Sequence, residues 1–214
     1  MTQRNHTITS QRNRTLSTRE LTTIAILSAI SAVLFMIEIP VVLFYKLDLS
    51  SLPVLLGAFA MGPLAGLLIQ LVKSLLGLLH TTSQGVGELA DFLMGVAMLL
   101  PAGLIYRQGK SRRSAVVGMV VGTLVSTVVG VFANLYVMIP FYGAAYGMPV
   151  EQIVGMGQSV IPAITSIGMF VLLITAPFNL LKGVVVSTLT ALIYKPLSPI
   201  LHGRRRMKPE ANRT

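Results

Sequence analysis

The stretch LPVLLGAFAMGPLAGLLIQLVKSLLGLL, residues 52–79, decides how the rest of the chain is arranged. It is apolar enough to lie in a membrane, but Met61-Gly62-Pro63 interrupts it. Proline lacks a backbone N–H and disfavours helix at the preceding residue, so the stretch predicts two helices instead of one. The first, 52–61, would be short, because about ten residues rise only about 15 Å, half the thickness of a hydrocarbon core.

The composition of the whole chain predicts a membrane protein. Charged residues make up 11% and hydrophobic residues 53% of the 214 residues, and the mean hydropathy is +0.76. A soluble domain carries about 25% charged residues, so this chain has too little polar surface to cover a globule in water. It contains no cysteine, which excludes disulfides and thiolate metal sites. The polar N-terminal segment carries no cleavable signal pattern.

Most of the 17 lysines and arginines lie in three short polar segments. These segments adjoin apolar runs and do not form one face of a soluble domain, which argues against a nucleic-acid partner despite the net charge of +10. Because membrane proteins concentrate Lys and Arg in their cytoplasmic loops, we expect all three segments to be cytoplasmic. Their members are Arg4, Arg12, Arg14 and Arg19, then Arg107, Lys110, Arg112 and Arg113, then Lys195, Arg204, Arg205, Arg206, Lys208 and Arg213.

This charge pattern fixes the number of membrane crossings. If 52–79 were a single helix, the middle basic segment would fall outside the cell. With two helices there, every basic segment is cytoplasmic. We therefore predict an all-α integral membrane bundle of six transmembrane helices with both termini cytoplasmic. The other apolar runs are 21–39, 88–106, 114–140 and 160–194.

The domain organisation follows from the same runs. One six-helix membrane domain, 19–202, is expected between disordered basic cytoplasmic tails at 1–18 and 203–214.

The last apolar run is too long for one ordinary span. Pro177 suits the first turn of its helix and Thr175 could cap it. Residues 160–174 would then form an outer segment packed on the bundle, and Asn179 and Lys182 would lie near the outer face.

Polar residues from separate elements converge at the outer end of this arrangement. Asn134 lies near the end of helix five, and Asn179 and Lys182 are three residues apart on one face of helix six. A convergent set of amide, ammonium and hydroxyl groups in an apolar bundle is typical of a pocket for a flat, polar organic solute. The groups concerned are Lys46, Asp48, Thr81, Thr82, Gln84, Glu88, Asn134, Asn179 and Lys182.

Several of these residues also have a structural interpretation. Asn134 alone is more often a helix–helix hydrogen bond, and Lys182 could extend its amine toward the membrane boundary. The aromatic residues of the outer end could flank a planar ligand or form an interfacial belt. The belt is the favoured interpretation for at least two of Tyr45, Phe141, Tyr142 and Tyr146.

Three other charged residues are interpreted as structural. Lys73 is in the middle of a helix, where we expect it to pair with Glu88 or Asp91. Glu38 and Asp91 are likewise expected to pair within the bundle, not to carry protons.

Small residues predict close helix packing. Gly118 and Gly122 are interpreted as internal packing. Ala25 and Ala29 repeat the spacing on helix one, where spacing alone leaves internal packing and an external protein partner equally open.

No catalytic or metal motif is present. Gly109-Lys110-Ser111 mimics the end of a phosphate-binding loop, but Leu104 stands where the first glycine is needed. His6, His80 and His202 are too far apart to form a metal set. We therefore predict that the chain is not an enzyme and binds no metal.

Four segments together resemble the riboflavin-binding S component, the substrate-specificity subunit, of energy-coupling-factor transporters. The resemblance includes the Ala25-x-x-x-Ala29 pattern and covers most of residues 21–195, with 144–174 outside clear similarity. The segments are KLDLSSLPVLLGAFAMGPLAGLLIQLVK (46–73), VGELADFLMG (86–95), NLYVMIPFYG (134–143) and PFNLLKG (177–183).

The resemblance implies a multi-pass protein of a prokaryotic plasma membrane that captures riboflavin from outside. Riboflavin would be its transported ligand, with no cofactor, and its partners would be a transmembrane coupling subunit and two cytosolic ATPases. Asn134, Asn179 and Lys182 are similar to the family's contacts on the isoalloxazine ring. The family's outer gate and coupling-subunit surface correspond to Lys46, Leu47 and Asp48, and to Ala25 and Ala29, respectively.

Three alternatives remain open from the sequence. The chain could be a stand-alone proton-coupled permease with Glu38 or Asp91 as carrier, an S component for another vitamin or for riboflavin phosphate, or a membrane scaffold without a small ligand.

Overall fold

The computed structural model describes residues 16–81 and 83–201. Nine α-helices and one two-stranded β-hairpin make up this part of the chain. The helices are α1 (Thr18–Met36), α2 (Ser51–Met61), α3 (Pro63–Gly77), α4 (Val86–Gly109), α5 (Arg112–Ala133), α6 (Ile139–Tyr146), α7 (Val150–Val160), α8 (Ile167–Phe170) and α9 (Ala176–Leu201). The strands are β1 (Ile39–Val42) and β2 (Tyr45–Leu47).

Five helical runs in this part of the chain are long and apolar enough to cross a membrane. The helix α2 is apolar but has only 11 residues. As predicted, the stretch 52–79 is divided, because Gly62 adopts a φ of 105° between α2 and α3 and Pro63 starts the second helix. The five runs are Thr18–Met36, Pro63–His80, Val86–Gly109, Arg112–Tyr146 and Ile167–Tyr194.

The β-hairpin corrects the all-α prediction. The strands β1 and β2 pair antiparallel, with Ile39 opposite Leu47 and Pro40 opposite Lys46. The segment IPVVLFYKL is rich in β-branched and aromatic residues, which favour strands, and Pro40 cannot continue a helix.

Two prolines do not mark helix boundaries as predicted: Pro140 was expected to end a helix and Pro177 to begin one. The chain stays helical past Pro140 and begins its last long run at Ile167, well before Pro177. A π-helical turn precedes each proline, Asn134–Met138 in one case and Val171–Thr175 in the other. Such a wider turn accommodates the proline ring and its missing donor. Thr175 therefore lies inside a helical run and is not its cap.

The predicted outer segment 160–174 is wrong for the same reason. Only 147–166 separates the two long helical runs, and α7 occupies most of it. This helix buries Ile153 and Gly157, and a Cβ placed at Gly157 would lie 2.6 Å from the Phe170 ring.

Two apolar cores hold these elements together. The inner core joins α1 to α5 with α9, and the outer core packs α7, α8 and the second π-turn against the hairpin. In the inner core, a Cβ at Gly122 would lie 2.5 Å from the carbonyl oxygen of Met98, and one at Gly118 2.7 Å from that of Ala102. This confirms that Gly118 and Gly122 serve internal packing.

The predicted tails 1–18 and 203–214 lie outside the described residues, except for 16–18. There Ser17 accepts a hydrogen bond from the Glu20 N–H and starts α1.

Candidate ligand-binding cavity

A cavity opens at the end of the bundle that carries the hairpin. The empty space there is about 840 Å³, a value that includes open solvent at the mouth. The hairpin, the start of α4, the first π-turn with α6, and the start of α9 all contribute lining residues. Seven predicted site residues line it: Lys46, Asp48, Glu88, Asn134, Tyr142, Asn179 and Lys182. Leu47, Thr81 and Gln84, which were also singled out from the sequence, are not among the lining residues, and Thr82 lies outside the described residues. Leu47 pairs with Ile39 in the hairpin.

Lys182 connects two of the carboxylates that line the cavity. Its Nζ lies 2.7 Å from Asp48 Oδ2 and 3.3 Å from Asp91 Oδ1. Asp48 is 4% exposed and also accepts hydrogen bonds from the Ser50 N–H, at 2.9 Å, and from the Ser50 hydroxyl. The residues after the hairpin are thus attached to α9 by an ion pair.

Asp91 also pairs with Lys73, which is completely buried and does not line the cavity. The Lys73 Nζ lies 2.5 Å from Asp91 Oδ2 and donates to the Ser50 hydroxyl at 3.0 Å. Gln70 donates from Nε2 to the same carboxylate oxygen at 3.0 Å. Buried ions need this degree of pairing to offset their desolvation. The prediction that Lys73 and Asp91 are paired in the bundle is therefore confirmed.

The two asparagines differ in their hydrogen bonding. Asn134 donates from Nδ2 to the Gly130 carbonyl at 2.9 Å and accepts at Oδ1 from the Tyr45 hydroxyl at 3.0 Å. Asn179 Nδ2 is buried and has no hydrogen-bond partner among the residues that the structure describes. A Cβ at Gly130 would lie 2.2 Å from that nitrogen, so glycine is what makes room for it. A buried amide without a partner costs about 1–3 kcal/mol, which a ligand acceptor would recover.

Tyr45, at the start of β2, links the hairpin to both π-turns. Its hydroxyl is 3.0 Å from Asn134 Oδ1 and 2.5 Å from the Thr175 hydroxyl oxygen. Burial raises the pKa of Tyr45 above its usual value, so the hydroxyl remains protonated at physiological pH. Its ring also packs on Phe178, with ring centroids 5.0 Å apart.

The aromatic residues of the outer end divide into two groups. Tyr45 and Tyr142 line the cavity, whereas Phe141 and Tyr146 are partly exposed outside it. The sequence did not single out the other apolar lining residues, although Phe44 directly precedes Tyr45. Those residues are Phe35, Phe44, Met94, Met138 and Phe178.

The rim of the cavity carries one more ion pair. Lys46 Nζ lies 2.5 Å from Glu38 Oε2, and both side chains are partly exposed. Glu38 is therefore paired, as predicted, but at the rim and not inside the bundle.

Glu88 completes the polar lining. It is only 6% exposed, and its Oε2 accepts hydrogen bonds from the Thr81 and Ser83 hydroxyls, each at 2.9 Å.

Ala25 and Ala29 are not among the residues that line the cavity and lie on the exposed face of α1. Neighbouring positions on this face are also exposed and apolar, among them Ile26, Ile30 and Val33. The face is not used for packing within the described chain.

The family described as "ECF transporter, substrate-specific component" matches residues 19–194. The chain belongs to this family. A solved structure described as the S component of a bacterial ECF transporter is 34% identical, with a TM-score of 0.67 over 86% of this chain and 98% of the other.

Individual relatives carry more specific names. The riboflavin transporter RibU of Staphylococcus aureus is 34% identical over 188 residues, 86% of this chain and 92% of the relative. RibU of Streptococcus thermophilus is 31% identical, and the match covers 86% of this chain and 85% of the relative. The riboflavin transporter FmnP of Bacillus subtilis is 24% identical, and the match covers 89% of this chain and 97% of the relative. The family resemblance is thereby confirmed, and it places this S component among transporters, not enzymes.

Proposed function

We propose that this S component binds riboflavin in the outer cavity and delivers it as part of an ATP-driven energy-coupling-factor transporter. The names of the relatives support the vitamin. The observation that carries the proposal is the convergence of Asn134, Asn179 and Lys182 on one cavity with aromatic side chains around it.

The lining chemistry suits the isoalloxazine ring. The ring is flat and neutral, with carbonyl and imide groups along one edge. Amide groups offer both donors and acceptors, and a lysine offers donors, so Asn134, Asn179 and Lys182 can satisfy such an edge. Tyr45, Tyr142 and Phe178 supply apolar ring surface beside them.

The proposed topology has six crossings, α2 being the shortest, with both termini in the cytoplasm. Glu88 lines the cavity near the start of α4, and Arg107 lies about 28 Å further along the helix axis. Arg107 and Lys110 line a groove with the Gly62-Pro63 turn, which puts that turn at the basic end of the bundle.

Because the chain has no cysteine, single cysteines at Ser111 and Ser159 can test the proposed topology. Position 111 would lie in the cytoplasm and position 159 outside the cell. A membrane-impermeant maleimide should therefore label only Ser159→Cys in intact cells.

The proposed partners are a transmembrane coupling subunit, contacting α1 at Ala25 and Ala29, and two cytosolic ATPase subunits. The proposed location is a prokaryotic cell membrane, and no cofactor is required. The exposed, apolar and small-residue face of α1 supports the contact, because small residues allow close helix approach.

A direct experiment tests the ligand. The chain, purified in detergent, should carry flavin fluorescence or should bind added riboflavin with quenching at one equivalent. A folded preparation that takes up no riboflavin, but binds another vitamin, would disprove the assignment.

The stand-alone permease is less well supported. Asp91 is held between two lysines, and Glu38 is paired with Lys46, so neither carboxylate is placed as a free proton carrier. Vitamin uptake into vesicles that contain this chain without ATPases would favour that alternative.

A further inference from the structure

Glu88 differs from the other carboxylates that line the cavity. Within residues 16–81 and 83–194, no lysine, arginine or histidine lies within 4.0 Å of it. Each of the others forms an ion pair: Glu38 with Lys46, Asp48 with Lys182, and Asp91 with Lys73 and Lys182.

The local structure fixes this carboxylate and favours its negative charge. The hydroxyls of Thr81 and Ser83 donate to Oε2, which holds the side chain in one position. Glu88 also lies in the first turn of α4, where the N-terminal end of the helix dipole favours an anion. Oε1 receives neither of these hydrogen bonds.

The position of Glu88 relative to Lys182 indicates which part of a bound flavin would lie beside the Glu88 carboxylate. Glu88 and Asp91 are three residues apart on α4, so Glu88 lies about one helical turn, roughly 5 Å, closer to the helix start. Asp91 contacts Lys182. If Lys182 binds the polar edge of the isoalloxazine ring, the side chain of the flavin that extends toward the mouth of the cavity would pass Glu88.

We propose that Glu88 selects a flavin with a neutral polyhydroxy chain and excludes one that ends in a phosphate. The inference rests on the proposed function and names the residue that sets its specificity. Hydroxyl groups donate to a carboxylate, whereas a phosphate monoester carries about −1.5 to −2 charges at neutral pH and is repelled by it. Lys46, the cation of the rim, is already neutralised by Glu38.

Titrations of the purified full chain with riboflavin and with flavin mononucleotide test this. The wild type should bind riboflavin more tightly, and Glu88→Gln should lower the ratio of the two affinities by about tenfold or more, because a like-charge contact in a partly buried site costs at least that factor. Glu151→Gln is the matched control, since Glu151 is an exposed carboxylate of α7 that does not line the cavity. It should leave the ratio unchanged.

The outcomes separate the two proposals. Glu88→Gln that still binds riboflavin with an unchanged ratio would overturn the role of Glu88 alone. A wild type that binds neither flavin would overturn the proposed function, and the inference with it.

Discussion

Asp91 has two lysine neighbours that occupy different regions of the molecule. The region around Lys73 is closed: that side chain is completely buried and pairs with Asp91 at 2.5 Å. The region around Lys182 is open to the cavity, and its side chain is 19% exposed and pairs with the same carboxylate at 3.3 Å.

We propose that this difference separates a structural ion pair at Lys73 from a ligand-binding group at Lys182. A charge sealed in an apolar bundle has no alternative partner, so its pairing contributes to folding. A charge in the wall of a cavity can exchange or share its partner with a ligand. The same residue type next to the same carboxylate therefore has two roles, decided by access to the cavity.

The largest expected effect is on the closed side. Lys73→Met should lower the free energy of unfolding by about 3 kcal/mol or more, because it removes the shortest ion pair of a buried carboxylate. Thermal unfolding in detergent would measure this. Lys46→Met, which breaks the exposed pair at the rim, is the control and should change stability by less than about 1 kcal/mol. A Lys73→Met protein as stable as the wild type would contradict the structural role.

On the open side, the larger loss should be in binding. Lys182→Met and Asn179→Ala should each weaken riboflavin binding by about tenfold to a hundredfold, because a lost hydrogen bond in a buried site costs about 1–3 kcal/mol. Fluorescence titration gives the affinities. Lys182→Met also breaks ion pairs, whereas Asn179→Ala breaks none. Weaker binding by Asn179→Ala would therefore reflect the loss of a ligand contact alone. Unchanged titrations of both variants would remove these side chains from the site.

Two glycines of α5 allow the same comparison between a structural position and a position beside the cavity. Gly122→Ala should destabilise the protein by about 1–3 kcal/mol, because the new methyl group meets the backbone of α4. Gly130→Ala should mainly weaken riboflavin binding, several-fold, because its methyl group displaces Asn179. Gly168→Ala is the control, as a Cβ there meets nothing within 4 Å. Equal losses of stability in Gly122→Ala and Gly130→Ala would contradict the assignment of a packing role to Gly122 and a binding role to Gly130.

The smallest effect is expected at the hairpin. Tyr45→Phe keeps the ring but removes the hydroxyl that contacts Asn134 and Thr175. We expect riboflavin to dissociate a few times faster, with stability changed by about 1 kcal/mol or less. Stopped-flow fluorescence measures the dissociation rate.

The raised pKa of the Tyr45 hydroxyl predicts the pH range over which this group contributes to stability. The folded-state pKa of Tyr45 is raised by burial, so its contribution is fully present below the ordinary tyrosine pKa and is lost only in strong alkali. The difference between wild type and Tyr45→Phe should therefore be constant from about pH 6 to about pH 9. A difference that disappears within this range would contradict the assignment.

Much of the fold could be predicted because the deciding rules are local. The break at Gly62-Pro63 and the apolar runs depend only on residues next to each other in sequence. The prolines at 140 and 177 misled the same reasoning, because whether a proline ends a helix depends on the turn before it. A π-turn has no sequence pattern that distinguishes it from ordinary helix.

The residue types of the candidate site were predictable, and so was the Lys73–Asp91 pair, but the partners of Lys182 were not. Polar residues in apolar helices are costly, so their presence alone indicates a site or a pair. Which carboxylate meets Lys182, and that Leu47 points away from the cavity lining, depends on distances between elements remote in sequence. The phenylalanines of the lining were missed because this residue is common in a membrane protein wherever lipid or protein surrounds it.

The most direct measurement is a structure of the purified protein with riboflavin bound. The account predicts the ring in the outer cavity, with its polar edge within hydrogen-bond distance of Asn134, Asn179 and Lys182 and with Lys73 still paired to Asp91. A ring bound elsewhere, or one in the cavity with its polar edge turned away from those three side chains, would contradict it.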